Sequence, residues 1–306
     1  MVAWEVSAPS SGAQAPGGTR MATDRTLGPP GLFTGGRDRD PYPVYRVLRE
    51  RYPLVYDARL DAWLVSRYAD VVSALTDPRL VRPRSTQCCE PGDLRCTGAS
   101  SLGGQREIAE RTAYVLARRL AGRAEVDLVA EFCRWLPVGV LATAARMPYG
   151  ALAGLRVATT ERALASLLAN LLDHPAQLAA LRAAPGLIPH AWAESLRRDP
   201  PVHVLMRRAV RDVPLGGGTV PAGATVACLV GAAGRDPDRF ANPDRFDLHR
   251  SDTGRLSIGC PATLQAQYGV RALLDAMPGL RWADGFRPVE TGLLTRSPRI
   301  LLVRTE

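Results

Sequence analysis

Polar and apolar positions alternate with two periods along this chain, and they divide it into elements. From Val44 to Arg51 the apolar residues recur at helical spacing, directly after Asp40-Pro41-Tyr42-Pro43, where ordered structure is expected to begin. Leu54–Asp57 and Ala62–Ser66 read as two strands joined by a polar turn at Arg59-Leu60-Asp61. Tyr68–Leu75 reads as a helix closed by Asp77-Pro78. Residues 82–104 lack periodicity and read as loop. Glu107–Leu120 carries Ile108, Ala113, Leu116 and Leu120 on one helical face, and Val126–Leu141 reads as a helix interrupted at Pro137. A long, very apolar helical segment is expected over 151–172, with shorter helices at 176–183 and 189–198.

The pattern then changes. Arg211–Pro221 reads as two strands around Gly216-Gly217-Gly218; no Lys-Ser/Thr and helix follow the glycines, so they suit a hairpin turn rather than a phosphate loop. Val226–Ala232 is continuously apolar and reads as buried. A helix is expected over Thr263–Met277, and Leu293–Thr305 reads as a strand pair broken at Ser297-Pro298. Residues 1–37, rich in Gly, Pro, Ser and Thr, read as a disordered leader, and Met21 is an alternative start to Met1. The expected organisation is that leader followed by one domain, 38–306, mainly α with small β-sheets.

Composition narrows the function. With 306 residues and 46% hydrophobic content, the chain can bury a substantial core. No apolar run is long enough to span a bilayer and no signal peptide is visible, which makes the expected location cytoplasmic, away from membranes. The net charge of +9 comes entirely from arginine, since lysine is absent. These arginines are interspersed with acids, as in Arg235-Asp236-Pro237-Asp238-Arg239, so nucleic-acid binding is not expected. The six cysteines are Cys88, Cys89, Cys96, Cys133, Cys228 and Cys260. No histidine lies near the first three, and neither a metal site nor a disulfide framework is expected. His174, His190, His203 and His249 lie in segments that read as structural or loop.

From Asp40 to Pro83, and from about Ala153 to the end, the sequence resembles a bacterial cytochrome P450. The runs that carry the resemblance are DPYPVYRVLRERYPLVYDARLDAWLVSRYADVVSALTDPRL, ESLRRDPPVH and RDVPLGGGTVPAGATVACLVGAAGRDPDRFANPDRFDL. The resemblance implies a truncated P450-like fold. It makes Glu194 and Arg197 the family's Glu-x-x-Arg pair and puts Arg245 at the position completing a Glu-Arg-Arg triad. Glu194 and Arg197, three residues apart on one helix, can pair on sequence grounds alone.

The departures from the family fall on its chemistry. A P450 holds haem through a Cys thiolate on a loop of pattern Phe-Gly-x-Gly-x-His/Arg-x-Cys-x-Gly. Here Phe246–Gly259 resembles the approach to that loop, with Ile258 in place of Phe, and the helix after it also aligns. About nine residues between them are missing, so Cys260 falls beyond the gap and is not the implied ligand. Thr159 and Thr160 match the family's oxygen-binding helix, but the relay acid is replaced by Ala158 and a glycine by Arg156. A relay without a titratable group cannot shuttle protons. No counterpart is evident near Cys96–Gly104 for the helix that carries a propionate-binding residue. Only a few residues separate Met147-Pro148 from the central helix, where the family places several roof helices. Arg207 sits at a propionate-binding position. Arg207, Cys260, Thr159 and Thr160 are therefore vestigial haem-side positions, with no catalytic residue, cofactor or metal expected.

This pattern is similar to the P450-derived activators that accompany glycosyltransferases in macrolide and anthracycline antibiotic pathways. The resemblance implies a haem-less pseudoenzyme, a non-catalytic auxiliary that binds and stabilises a partner glycosyltransferase. The contact is expected on residues 40–80 and on apolar surface left by the missing helices. Two alternatives stand beside it: a haem-independent enzyme catalysing a non-redox cyclisation or rearrangement, and a genuine haem-thiolate monooxygenase using Cys260 or another axial ligand.

Overall fold

The computed structural model describes residues 30, 32, 40–83, 102–145, 158–254 and 260–306. Most of the expected leader, the Cys88/Cys89/Cys96 cluster, Arg156 and the stretch 255–259 lie outside the described residues.

The chain opens with α1 (Tyr42–Arg51), which has a proline at its N-terminal end, where a missing N–H costs nothing. It buries Val44, Tyr45 and Leu48. Strands β1 (Leu54–Asp57) and β2 (Ala62–Val65) form an antiparallel hairpin in the register Leu54↔Val65. The Asp57 carboxylate accepts from the Arg59 and Leu60 N–H groups to close its turn. Helix α2 (Tyr68–Thr76) and strand β3 (Leu80–Val81) follow.

Helix α3 (Leu102–Leu120) starts five residues before the sequence pattern suggested, taking in two glycines. The stretch expected to be one interrupted helix is three elements: β4 (Glu125–Asp127), a π turn (Val129–Cys133) and α4 (Trp135–Ala145). Val126 is in a strand because it pairs with Val303 far along the chain. Pro137 breaks nothing because it lies in the first turn of α4, where no intrahelical donor is needed.

Helix α5 (Ala158–Asp173) buries nearly its whole circumference and runs through the centre of the helical core. Then come α6 (Pro175–Ala183), a 3₁₀ turn (Pro185–Leu187) and α7 (Ile188–Arg198). Strands β5 (Val204–Ala209), β6 (Val213–Leu215), β7 (Gly218–Val220) and β8 (Thr225–Leu229) lead into the short α8 (Val230–Ala233). Gly216 and Gly217, both at positive φ, form the two-residue turn between β6 and β7.

Helix α9 (Cys260–Ala276) precedes β9 (Arg281–Trp282), β10 (Glu290–Thr291), β11 (Ser297–Pro298) and β12 (Leu302–Arg304). The C-terminal segment does not pair with itself as its pattern suggested. Ser297-Pro298 is a strand on β10, whereas β12 lies between β4 and β9.

The main sheet has the order β1-β2-β8-β5-β3, antiparallel except for the parallel β2–β8 pair. Central β8 is covered on both faces, which is why its sequence is continuously apolar. Val226 and Cys228 face the cluster containing Val71 of α2, while Ala227 and Leu229 face Tyr45 and Leu48 of α1. Leu32 joins this second cluster at 3% exposure. The larger core is helical: Ala109, Ala113 and Ala117 of α3 share it with Ala266, Val270 and Leu273 of α9, and with α5 and α7.

Candidate functional site

Glu194 and Arg197 lie one turn apart on the buried face of α7. Arg197 Nε donates to Glu194 Oε2 at 2.7 Å and Nη2 donates to Oε1 at 2.9 Å. Both side chains are 1% exposed. The remaining donors of Arg197 reach the carbonyls of Gly234 (2.6 Å), Pro243 (2.8 Å) and Arg245 (3.2 Å). Glu194 Oε1 also accepts from the Asp247 N–H at 3.1 Å and from Arg250 Nε at 3.0 Å. A buried carboxylate thus meets two guanidinium groups and a backbone amide, which offsets its desolvation.

The second guanidinium belongs to Arg250, and not to Arg245 as the resemblance implied. Arg245 is exposed and supplies only its carbonyl. The turn at Asn242, with φ 47°, and the Asn242 carbonyl accepting from the Arg245 N–H curl the chain so that Arg250 comes back over the network. Its Nη1 and Nη2 donate to the Ala241 and Asn242 carbonyls.

A second ionic cluster adjoins the end of α7 and was not anticipated from sequence. Asp199 accepts from Arg235 Nη2 at 2.5 Å, Arg198 Nη1 at 2.8 Å and the Tyr42 hydroxyl at 3.0 Å. The Arg235 guanidinium lies 3.4 Å from the centre of the Tyr42 ring. Burial by itself would raise the Asp199 pKa; Arg235 and Arg198 outweigh it and hold the carboxyl below the usual carboxylate range. The sequence cue was the Asp199 that follows the Arg197-Arg198 pair, but its partners are 36 and 157 residues away.

His203 is fully buried beside these groups, with Nδ1 3.3 Å from the Tyr45 hydroxyl. Burial, reinforced by Arg296, pushes its pKa down to about 3, so the ring is neutral at physiological pH. His174 is held by the Asn170 carbonyl at 2.7 Å, and His190 and His249 are exposed. No convergent acid–base pair of histidines forms among the described residues.

The haem-side positions are spread over separate elements. Thr159 and Thr160 lie in the first turn of α5, after Ala158, with Thr160 buried. Glu161, the next residue, is also buried. Arg207 is buried in β5 and donates from Nη1 to the Met206 carbonyl at 2.9 Å. Cys260 is the first residue of α9.

The described cysteine side chains do not fit a haem–thiolate ligand. Gly254 is tied down by its N–H to Asp252 Oδ1 at 2.8 Å, and only five residues, Arg255-Leu256-Ser257-Ile258-Gly259, separate it from helical Cys260. None of the five is a Cys or His. Cys133 is fully buried in the helical core, and burial, with Glu161 nearby, pushes its thiol pKa well up, the reverse of what a thiolate ligand requires. Cys228 is buried in β8 within the sheet core. Among the described residues no three His, Cys, Asp or Glu side chains are placed to hold a metal ion. No described helix is long and apolar enough to cross a membrane.

Comparison with known proteins bears on this framework. The family model "Cytochrome P450" matches residues 187–256, the stretch that contains Glu194, Arg197, Asp199, Arg235 and Arg250. Cytochrome P450 107B1 of Saccharopolyspora erythraea is 30% identical over 339 aligned positions, which take in 73% of this chain and 84% of that protein. Protein DesVIII of Streptomyces venezuelae is 38% identical over 209 positions, covering 65% of this chain and 50% of that one. The crystal structure of CYP109E1 from Bacillus megaterium in complex with testosterone superposes with a TM-score of 0.75 at 18% identity, covering 87% of this chain and 99% of that one. With its Glu-x-x-Arg framework, its mixed sheet and its helical core, this chain belongs to the cytochrome P450 family.

Proposed function

We propose that this chain is a haem-less P450 homologue serving as a non-catalytic auxiliary of a partner glycosyltransferase in polyketide antibiotic biosynthesis, in the cytoplasm. Its role is to bind the glycosyltransferase and stabilise its active form.

The observation that carries this reading is a contrast within one segment. Between Arg235 and Arg250 the framework is complete, with the Glu194 carboxylate bound by Arg197 and Arg250. Ten residues later the ligand loop is too short, with five residues between Gly254 and Cys260. A scaffold kept without its ligand loop suits binding rather than redox chemistry. The alignment with Cytochrome P450 107B1 supports internal shortening, since 339 positions draw on only 73% of this chain, so about a third of them face gaps. The likeness to Protein DesVIII, a name that carries no reaction, supports an auxiliary role.

Two measurements test the reading. Protein expressed with added haem precursor is expected to purify without a Soret band and without the carbon monoxide difference band of a haem thiolate; either band overturns the haem-less part. Co-expression with a polyketide-antibiotic glycosyltransferase of the same organism is expected to raise that enzyme's soluble yield or turnover and to co-purify the two. No change in yield or turnover, with no co-purification, overturns the auxiliary part.

A further inference from the structure

The helical half of the molecule carries an open groove of about 1160 Å³ that the ionic framework does not use. Its wall is one stripe of α3, from Gly104 to Leu120, with Arg123 just beyond the helix, and its other side is built from the π turn and α4. Ala109, Ala113 and Ala117 occupy the opposite stripe of α3, in the core shared with α9. On the groove stripe of α3, Ile108 and Leu116 pack partly against that core, while Val115 is left exposed among charged residues.

The groove floor is apolar and partly open to solvent: Val115 is 45% exposed and Trp135 37% exposed, beside Ile108 and Leu116. Leu141, farther along α4, adds a further exposed apolar side chain at 41%. Arg111, Val115 and Arg119 follow one another at i, i+4 and i+8 on the same ridge. Both arginines line the groove, and neither makes a hydrogen bond or ion pair among the described residues. By contrast, Arg123 at one end is neutralised by Glu131, with Nη2 3.0 Å from Oε1.

The dimensions point to a helix. Nineteen residues of α3 span about 28 Å, and a helix about 10 Å across, half sunk over that length, fills roughly 1,100 Å³. The charge selects its chemistry: Glu107 also lines the groove, one turn before Arg111, but with Arg123 and Glu131 neutralising each other the described lining keeps one net positive charge, on a chain of net charge +9, which favours an acidic partner.

We infer that this groove receives an amphipathic helix of a partner protein, with an apolar stripe at i, i+4 and i+7 on Val115 and Trp135 and with Glu or Asp side chains seven to eight residues apart facing Arg111 and Arg119. Assigning that helix to the glycosyltransferase rests on the function proposed above; the groove's preference for an acidic helix does not.

The test uses the full-length protein and two labelled 18-residue helical peptides with the same Leu stripe, one flanked by Glu and one by Lys, followed by fluorescence anisotropy. The Glu peptide is expected to bind saturably and at least about 10-fold more tightly than the Lys peptide. The double substitution Arg111→Glu/Arg119→Glu, and separately Val115→Arg, are expected to weaken it by at least about 10-fold. All three sites are exposed, so unchanged melting temperatures are expected to confirm intact folding. Absence of saturable binding, equal binding of both peptides, or binding indifferent to these substitutions overturns the inference. So does a concentration-dependent dimer that Val115→Arg abolishes, since that assigns the groove to a second copy. In the co-expression experiment, a glycosyltransferase complex that survives Val115→Arg removes this groove as the docking site but leaves the auxiliary reading intact. Failure of the wild-type chain to form any complex removes that reading, and the peptides still decide the groove.

Discussion

Arg250 Nε lies 3.0 Å from Glu194 Oε1, although 56 residues separate the two in the chain. This contact and the bidentate Arg197 bond clamp the segment from Gly234 to Arg250 onto α7. Arg197→Ala is expected to cost about 3–5 kcal/mol, because it leaves a buried carboxylate short of its main partner. Arg250→Ala removes the ion-paired bond to Glu194 and the bonds to the Ala241 and Asn242 carbonyls, and is expected to cost at least about 1.5–3 kcal/mol. Arg245→Ala, on an exposed side chain, is expected to stay within about 0.5 kcal/mol. Urea-unfolding midpoints of the three variants check the order; an Arg245 variant as damaging as Arg250 would refute the assignment.

Gly234 sits where a side chain would meet backbone. A Cβ there would lie 2.0 Å from the Arg197 carbonyl oxygen, which cannot rotate away. Gly234→Ala is expected to destabilise by at least about 1–3 kcal/mol. Combined with Arg197→Ala, its effect should be less than additive, because both loosen the same contact. Gly217→Ala, with open space but φ +81°, is expected to cost only about 1–2 kcal/mol. A thermal double-mutant cycle reads both statements.

The buried His203 makes stability depend on acid. Its folded pKa of about 3 lies below the ordinary 6.5, so the unfolded chain binds the extra proton between those values. Its contribution is complete above about pH 6.5 and falls by up to roughly 1.4 kcal/mol per pH unit as pH drops toward 3. His203→Phe keeps an aromatic ring and is expected to flatten the stability profile between pH 6.5 and 4. Chemical unfolding at several pH values for both proteins measures the difference, and parallel profiles would count against the neutral-histidine account.

Leu32 belongs to the core that contains Tyr45, Leu48 and Leu64. Leu32→Ala is expected to cost about 2–4 kcal/mol, as for other buried leucines. A variant that melts with the wild type would show that this side chain contributes no packing.

Much of the fold could be read from the sequence. The α1 helix, the first hairpin, α2 and α7 were legible because their periodicity and turn residues are local. Val126 read as helix because its partner, Val303, is 177 residues away and periodicity does not report it. Ser297-Pro298 read as a break because of its proline, whereas it pairs with Glu290-Thr291 in a two-stranded ladder, where proline is tolerated at an edge. At the site, Glu194 and Arg197 were legible from their i,i+3 spacing. The choice of Arg250 over Arg245 was not, because both lie in a non-repetitive segment where only the turn at Asn242 decides which side chain points inward.

The sequence by itself determined the mainly helical class, the all-arginine positive charge and the Glu-Arg pair, since each is a matter of composition or local spacing. Tertiary structure alone decided which arginine neutralises Glu194, how Asp199, Arg235 and Tyr42 meet, that His203 is buried beside Tyr45, and that Val115 of α3 and Trp135 of α4 are left exposed along one groove. Those are contacts between segments far apart in the chain, and burial, charge pairing and groove shape exist only once packing has brought the segments together.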